Sequence, residues 1–122
     1  MARILVADDD AASRLLVATV LQHAGHTVIE AADGDAALSA VAAENPDLLL
    51  VDLNMPGTSG VNVIRRLRGD ARHRDLAIAL YTATPPNAAM RDFMEIYAVR
   101  AAVPKPSEPE ELLRALEGAL HA

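Results

Sequence analysis

The sequence has no cysteine and no tryptophan, and its 122 residues include only one phenylalanine and two tyrosines. Without cysteine the chain can form no disulfide and use no thiolate, which is compatible with a reducing cytoplasm. Because aromatic side chains are so few, the core must be aliphatic, with helices packed closely through small side chains. No signal peptide is visible and no apolar run approaches the ~20 residues that span a bilayer, so we expect a soluble, cytoplasmic protein.

Positive charge is also scarce, because 11 lysine and arginine residues face 17 aspartate and glutamate residues, which gives a formal net charge of −6. Proteins that bind nucleic acid or an anionic membrane surface contact phosphate through lysine and arginine. We therefore expect neither nucleic acid nor a membrane among the partners. About half of the residues are apolar, and the length suits a single core, so residues 1–122 are expected to form one domain.

Short apolar runs alternate along the chain with segments of helical periodicity. Several of the runs are continuously apolar, as in a parallel sheet buried on both faces, and five predict strands: Ile4–Ala7, Thr27–Ala31, Leu48–Val51, Leu76–Thr82 and Val99–Val103. Five segments predict helices: Ala11–Ala24, Asp35–Glu44, Val61–Arg68, Asn87–Ala98 and Glu108–Leu120. This alternation predicts a flavodoxin-like α/β fold, a doubly wound five-stranded parallel sheet of order 2-1-3-4-5. Such a sheet binds ligands outside the C-terminal ends of strands 1 and 3.

Some polar residues are explained by the ends of helices. Asp10 is expected to cap the first helix, and Gly25 to follow it in the left-handed conformation. Ser107 and Glu110 are expected to form a capping box at the start of the last helix, with Pro109 in its first turn. These assignments leave two of the three consecutive aspartates at positions 8 to 10 unexplained.

Two pairs of residues outside the strand ends have simple structural interpretations. His23 and His26 are predicted to be surface residues at a helix end, because no further metal ligand stands at a suitable spacing. Phe93 and Tyr97 lie four residues apart on a predicted helix, and we expect at least one of them to pack in the core.

Polar residues end four of the five predicted strands, and parallel strands place them at one edge of the sheet. They are Asp8 and Asp9 after strand 1, Asp52 after strand 3, Thr82 at the end of strand 4 and Lys105 after strand 5. Clustered carboxylates repel one another unless a cation joins them, and all-oxygen ligands suit a hard cation such as Mg²⁺. A carboxylate beside Mg²⁺ can act as a nucleophile and form an aspartyl phosphate, whose oxygens a lysine and a hydroxyl can bind.

Each of these residues also has an ordinary explanation when it is taken alone. Asp52 precedes the turn that Pro56 and Gly57 mark, Thr82 is a common strand residue, and Lys105 could be a surface lysine. The functional interpretation depends on their meeting at a single edge, where α/β folds bind ligands.

The same stretches resemble a known family. "RILVADDD", "PDLLLVDLNMPGTSG", "YTA" and "PKP" are similar in type and spacing to the motifs of response regulator receiver domains, and above all to stand-alone, chemotaxis-type receivers. The resemblance extends from end to end of the chain. It implies that Asp52 is the phosphorylated residue and that Thr82 and Lys105 bind the phosphoryl group. It also implies a Mg²⁺ cofactor held by Asp9, Asp52 and the backbone carbonyl of Asn54, with Asp8 helping through water.

The resemblance further implies a signalling role in a two-component or phosphorelay pathway. The phosphoryl group would come from a histidine kinase or phosphotransfer protein, and helix 4, strand 5 and helix 5 would form the face for an output protein. Such a domain is not a classical enzyme, because it catalyses only its own Mg²⁺-dependent phosphorylation and dephosphorylation. The "PKP" motif implies a cis peptide bond after its lysine.

Four positions depart from the family pattern and leave a second interpretation open. Ala102 stands where the family usually has Tyr or Phe, and Tyr97 stands where it usually has a small residue, so the tyrosine ring could occupy space beside Ala102. Pro104 removes a backbone donor at a strand end, and Ser107 replaces a common Phe. The alternative is a receiver-fold protein-binding module that acts without phosphorylation. A third class, a small hydrolase, lacks an obvious substrate pocket and a dedicated general base.

Overall fold

The computed structural model describes residues 1–122 and contains five strands and five helices in alternation. The strands are β1 (Arg3–Ala7), β2 (Thr27–Ala31), β3 (Leu48–Asp52), β4 (Ala77–Thr82) and β5 (Ala101–Pro104). The helices are α1 (Ala11–His23), α2 (Gly34–Glu44), α3 (Gly60–Arg68), α4 (Ala88–Ile96) and α5 (Pro109–Leu120), and a short 3-10 helix covers Ala71–His73. These bounds differ from the predicted ones by no more than two residues. None of the helices has the length and apolar character needed to cross a membrane.

All five strands are parallel and form one sheet of order β2-β1-β3-β4-β5. The predicted fold class and strand order are therefore confirmed. β1 and β3 are neighbours, and Ala7 pairs with Val51 at their C-terminal ends. Because side chains that follow paired parallel strands share one edge, Asp8 and Asp52 are brought close together.

The sheet separates two apolar layers, and alternate residues of each strand point to opposite sides. Leu5, Leu49 and Ile78 belong to the layer that α2 and α3 cover. Ile4 and Leu48 belong to the layer that α1 and α5 cover. All of these side chains are fully buried, which explains why the strands are continuously apolar in sequence.

The two aromatic residues of the α4 region pack as the sequence predicts. The rings of Phe93 and Tyr97 lie 4.7 Å apart between centroids. Both side chains also pack against the apolar layer on the α2 and α3 side of the sheet.

The ends of α1 agree with the sequence, whereas the predicted start of α5 is wrong. The Asp10 side chain accepts hydrogen bonds from two backbone N–H groups of the first turn, and Gly25 has a φ of +96°. At α5 the N-cap is Glu108, without a side-chain cap, and Pro109 is the first helical residue. Ser107 instead donates its hydroxyl to the carbonyl of Pro104. Proline is favoured at the first helical position, and its place fixes the cap at the residue before it.

His26 is not the surface residue that the sequence predicts. Its side chain is only 8% exposed, and its Nδ1 accepts a hydrogen bond from the backbone N–H of Ala2. Its Nε2 lies 3.3 Å from the carboxylate of Glu117. Because Nδ1 accepts from an N–H group, the proton of the neutral ring is on Nε2 and points to Glu117. His26 therefore joins the beginning of β1 to α5, while His23 is exposed as predicted.

Arg68 joins three segments at the opposite face of the molecule from α1. Its guanidinium donates to four backbone carbonyls at 2.7 to 3.1 Å: those of Tyr97, His73, Arg74 and Ala98. Burial lowers the pKa of Arg68 from its ordinary value. The side chain therefore holds the end of α3 against the loops before β4 and β5.

Candidate functional site

The polar residues predicted at the strand ends meet at one edge of the sheet. Asp8 follows β1, Asp52 ends β3, Thr82 ends β4, and Lys105 follows β5. Asp8 is 0% exposed, Asp52 6% and Thr82 8%. These three are the buried polar residues of a chain whose other buried positions are apolar or glycine and proline, which distinguishes this edge from ordinary surface.

Lys105 connects the two buried carboxylates. Its Nζ lies 2.8 and 3.0 Å from the two oxygens of Asp8 and 2.9 Å from Oδ2 of Asp52. Burial alone would raise the pKa of Asp8, but hydrogen bonds from Lys105 and from the backbone N–H of Asp10 hold that pKa below its ordinary value. Burial alone would lower the pKa of Lys105, and the two carboxylates raise it above its ordinary value instead. The ammonium and the Asp8 carboxylate are therefore both charged at neutral pH.

Asp9 completes an acidic cluster with a different character from the buried pair. Its side chain is exposed, and carboxylate oxygens of Asp8, Asp9 and Asp52 lie within 4.8 Å of one another. A set of oxygen donors at this spacing suits a hard divalent cation such as Mg²⁺, which keeps several water ligands. The donor set therefore fits the cofactor that the sequence predicts.

The segment after β3 orients Asp52. The backbone N–H of Asn54 donates to Oδ1 of Asp52 at 3.1 Å, and the Asn54 side chain is exposed. Gly60 begins α3 directly against the Asp52 backbone, where a Cβ atom would collide with the Asp52 carbonyl oxygen. Sequence analysis missed this role of Gly60, although a glycine just after a turn is the available signal.

Thr82 lies at the predicted edge, but its hydroxyl is engaged within its own loop. Oγ1 accepts from the backbone N–H of Thr84 and donates to the Thr84 carbonyl, both at 3.2 Å. The structure therefore places Thr82 beside the site without a hydrogen bond between its hydroxyl and Lys105 or Asp52.

Ala102 lies beside a small, mainly apolar cleft. The cleft has a volume of about 140 Å³, and the loop after β4 and the end of β5 form its walls. The Tyr97 ring packs against Phe93 and is not part of the cleft wall. Tyr97 and Ala102 both pack against the apolar layer on the α2 and α3 side of the sheet.

The proline at the end of β5 does not interrupt the sheet. β5 is an edge strand, and Pro104 pairs with Thr82. The backbone N–H of Lys105 then donates to the Thr82 carbonyl at 2.9 Å. An edge strand tolerates a missing donor, and the next residue continues the pairing. The peptide bond after Lys105 is cis, as the "PKP" motif implies.

Three residues near the site were missed by sequence analysis. The ring centroid of Tyr81 lies 5.5 Å from Nζ of Lys105. Arg14 donates from Nη1 to the backbone carbonyl of Asp8 at 2.7 Å. Burial raises the pKa of Tyr81, and hydrogen bonding with Ser13 opposes that shift. These contacts join separate elements, so no local sequence pattern indicates them.

The sequence is similar to those of known proteins. The family model described as response regulator receiver domain matches residues 4–117. The chain is 34% identical over 117 residues to the phosphate regulon transcriptional regulatory protein PhoB of Pseudomonas aeruginosa, a match that covers 96% of the chain and 51% of PhoB. It is 29% identical over 120 residues to the protein PilH of the same organism, with 98% of both chains covered. The chain thus spans about half the length of the PhoB relatives that it matches.

Solved structures are similar to this chain in fold as well as in sequence. The chemotaxis protein CheY4 of Vibrio cholerae has a TM-score of 0.89 at 29% identity, and the match covers 96% of this chain and 97% of CheY4. Receiver domains are signalling domains with a phosphoacceptor function, and they generally bind Mg²⁺ at an acidic pocket. The matching family model and the acidic cluster at the sheet edge together lead to one conclusion: this chain belongs to the response regulator receiver domain family.

Proposed function

We propose that residues 1–122 act as one receiver domain that accepts a phosphoryl group on Asp52 in a two-component or phosphorelay pathway. The observation that carries this proposal is the position of the Lys105 ammonium, which hydrogen-bonds Asp8 and Asp52 at once. Asp52 retains 6% exposure at the sheet edge, so a phosphodonor can reach its carboxylate.

In the proposed step, a carboxylate oxygen of Asp52 attacks the phosphorus of a phosphohistidine. The new O–P bond forms as the N–P bond breaks, and the electron pair of that bond remains on the imidazole nitrogen. Lys105 already lies against the attacking carboxylate, so its ammonium can neutralise charge on the phosphoryl oxygens. The Asn54 N–H group holds the other carboxylate oxygen and limits rotation of the side chain.

Asp9, Asp52 and the backbone carbonyl of Asn54 are the proposed Mg²⁺ ligands, with Asp8 acting through water. Bound Mg²⁺ would supply positive charge to the phosphoryl oxygens. The acidic cluster supports this assignment, because its oxygens lie close together and only Asp8 and Asp52 are neutralised by Lys105.

Thr82 is proposed to bind the phosphoryl group after its hydroxyl leaves Thr84. The hydroxyl donates to the Thr84 carbonyl at 3.2 Å, which is long for an O–H···O hydrogen bond. An anionic phosphoryl oxygen is a stronger acceptor than a carbonyl, so it can compete for the Thr82 proton.

The proposed partners are a histidine kinase or phosphotransfer protein as phosphodonor, and an output protein that binds α4, β5 and α5. The exposed parts of this face include Ile96, which is 74% exposed at the end of α4. We propose that this unit acts as a stand-alone receiver.

Ala102 and the engaged Thr82 hydroxyl favour one other candidate function, protein binding without phosphorylation. A domain of that kind would keep the receiver fold and its partner face, and its acidic cluster would have no role in phosphoryl transfer. The two functions differ in a measurable way, because only the first requires a phosphoryl group on Asp52.

The proposal is tested by exposing the protein to a small phosphodonor with Mg²⁺ and locating the modification by peptide mapping. We expect one phosphoryl group on the peptide that contains Asp52, with the acid-stable, base-labile behaviour of an acyl phosphate. A phosphoryl group on serine or threonine would overturn the assignment. Absence of any modification, together with partner binding by the untreated protein, would support the phosphate-independent alternative.

A further inference from the structure

Tyr81 is a buried aromatic residue at the site that the proposed chemistry does not use. It is the penultimate residue of β4, is 3% exposed, and pairs in register with Asp52 on one side and Val103 on the other. Its side chain belongs to the apolar layer covered by α1 and α5. Tyr81 thus stands directly under the edge that holds the phosphorylation pocket.

The Tyr81 ring lies against the ammonium of Lys105. The distance from Nζ to the ring centroid is 5.5 Å, within the range of a cation–π contact. The other contacts of Nζ are the carboxylates of Asp8 and Asp52. A lysine side chain has four rotatable bonds. If the neighbouring side chain left space beside Lys105, its ammonium could rotate away from these carboxylates. The ring face both occupies that space and attracts the positive charge.

The Tyr81 hydroxyl extends the same arrangement to α1. Burial raises the pKa of this hydroxyl, and hydrogen bonding with Ser13 opposes that shift. Ser13 is in the first turn of α1, where its backbone N–H donates to the cap residue Asp10. The ring contacts Lys105 and the hydroxyl does not hydrogen-bond it, so the two groups can be removed separately.

We propose that Tyr81 is a positioning residue, whose ring fixes the Lys105 ammonium between Asp8 and Asp52 and thereby sets the rate of phosphoryl transfer. This inference rests on the proposed function of Asp52. It assigns the effect to the ring and not to the hydroxyl, because the ring alone contacts Lys105. It also predicts no loss of Mg²⁺ affinity when the ring is removed, because a displaced ammonium no longer neutralises the proposed ligands Asp8 and Asp52.

Two variants separate ring from hydroxyl, and a third controls for stability. Tyr81→Leu removes the ring, Tyr81→Phe keeps it, and Ile78→Val perturbs the same strand on the opposite face. With a saturating small phosphodonor, Tyr81→Leu should lower the maximal phosphorylation rate by about 3- to 30-fold, the range expected for loss of a cation–π contact. Tyr81→Phe and Ile78→Val should stay within about twofold of the parent in rate and in Mg²⁺ affinity, and Tyr81→Leu should not lower the Mg²⁺ affinity.

An NMR measurement tests the contact without phosphorylation. The ¹⁵N signal of the Lys105 ammonium is observed only while the group is held and its protons exchange slowly. We expect the signal in the parent, in Tyr81→Phe and in Ile78→Val, and its loss in Tyr81→Leu.

The outcomes distinguish this inference from the proposed function. If the parent is not phosphorylated on Asp52 but the ammonium signal depends on the ring, the proposed function fails and the positioning of Lys105 by Tyr81 stands. An unchanged rate and signal in Tyr81→Leu would overturn the role of Tyr81. Equal losses in Tyr81→Phe and Tyr81→Leu, or a parallel loss of Mg²⁺ affinity, would also overturn it, because the effect would then not come from the ring.

Discussion

The Lys105 ammonium hydrogen-bonds both carboxylate oxygens of Asp8, at 2.8 and 3.0 Å. Asp8 is fully buried, so its charge would be costly without this partner. Asp9 is next in sequence, but its side chain is exposed and Lys105 does not contact it. The two adjacent aspartates therefore differ in role: Asp8 belongs to a buried ion pair, and Asp9 remains available to a cation.

This difference predicts opposite effects of Asp9→Asn with and without metal. In a chelator, the variant should melt at a higher temperature than the parent, because it removes a repulsive charge and breaks no ion pair. At a tenfold excess over Kd, Mg²⁺ should stabilise the parent by about 1.4 kcal/mol, which raises the melting temperature by roughly 3–6 °C. Asp9→Asn should respond much less.

Thermal melts of both proteins, in chelator and in excess Mg²⁺, check this prediction. The acidic cluster would not be a metal site if Mg²⁺ left the melting temperature of the parent unchanged. A lower melting temperature of Asp9→Asn in chelator would mean that Asp9 has a structural role instead.

Ala102 predicts a small structural response of β5 to phosphorylation. The Ala102 side chain has no ring that could move between buried and exposed positions. Movement of Thr82 toward the phosphoryl group is therefore not coupled to movement of an aromatic side chain at position 102. Amide chemical shifts with and without beryllofluoride, a phosphoryl mimic, measure the response. Ala102→Tyr is the matched variant, because the cleft of about 140 Å³ beside residue 102 is close to the size of one ring. We expect larger β5 shifts in that variant, and large parent shifts confined to β5 and α5 would contradict the prediction.

The contacts of Arg68 predict that its substitution strongly lowers the stability of the fold, although Arg68 lies far from the site. Its guanidinium hydrogen-bonds four backbone carbonyls, so Arg68→Ala should lower the free energy of unfolding by about 2–4 kcal/mol. Arg66→Ala is the matched control on the same helix, where the side chain is exposed, and should change stability by no more than about 0.5 kcal/mol. Urea unfolding measures both values. Equal effects of the two substitutions would contradict the role given to Arg68.

The contacts of Asp70 predict that its carboxyl group has an unusually low pKa. Hydrogen bonds from the side chain and backbone N–H of Arg72 lower the pKa of Asp70 to about 2. Because the pKa in the folded protein lies below the ordinary value, the charged carboxylate of Asp70 stabilises the fold. This stabilisation is complete above the ordinary pKa and is lost as the pH falls through about 2. Carboxyl chemical shifts should give this midpoint, and Arg72→Gln should move it upward. Arg74→Gln should leave it unchanged, and a common shift in both variants would indicate a general charge effect.

The fold and the main site could be predicted because their signals are local. Continuous apolar runs identify buried parallel strands, and the residue after each run identifies the shared edge. These signals place Asp8, Asp52 and Lys105 at that edge without any knowledge of their contacts. The cap at Asp10 and the positive φ of Gly25 follow from local backbone chemistry in the same way.

Other features depend on choices that a local pattern does not decide. Ser107 could cap α5 or donate to the Pro104 carbonyl, and the position of Pro109 decides for the second. Two sets of contacts depend on how separate elements pack: the hydrogen bonds of Arg68 to distant carbonyls, and the contact of the Tyr81 ring with Lys105. Side chains that contact residues far away in sequence leave no periodic signal, which is why these contacts required the structure.

The intact mass of the protein after treatment with a small phosphodonor and Mg²⁺ tests the central claim most directly. The parent should gain one phosphoryl group, and Asp52→Asn should gain none, because an amide is a poor nucleophile. Asp92→Asn, which changes an exposed carboxylate on α4, should be modified like the parent. Modification of Asp52→Asn to the same extent as the parent would contradict the assignment of Asp52 as the phosphoacceptor.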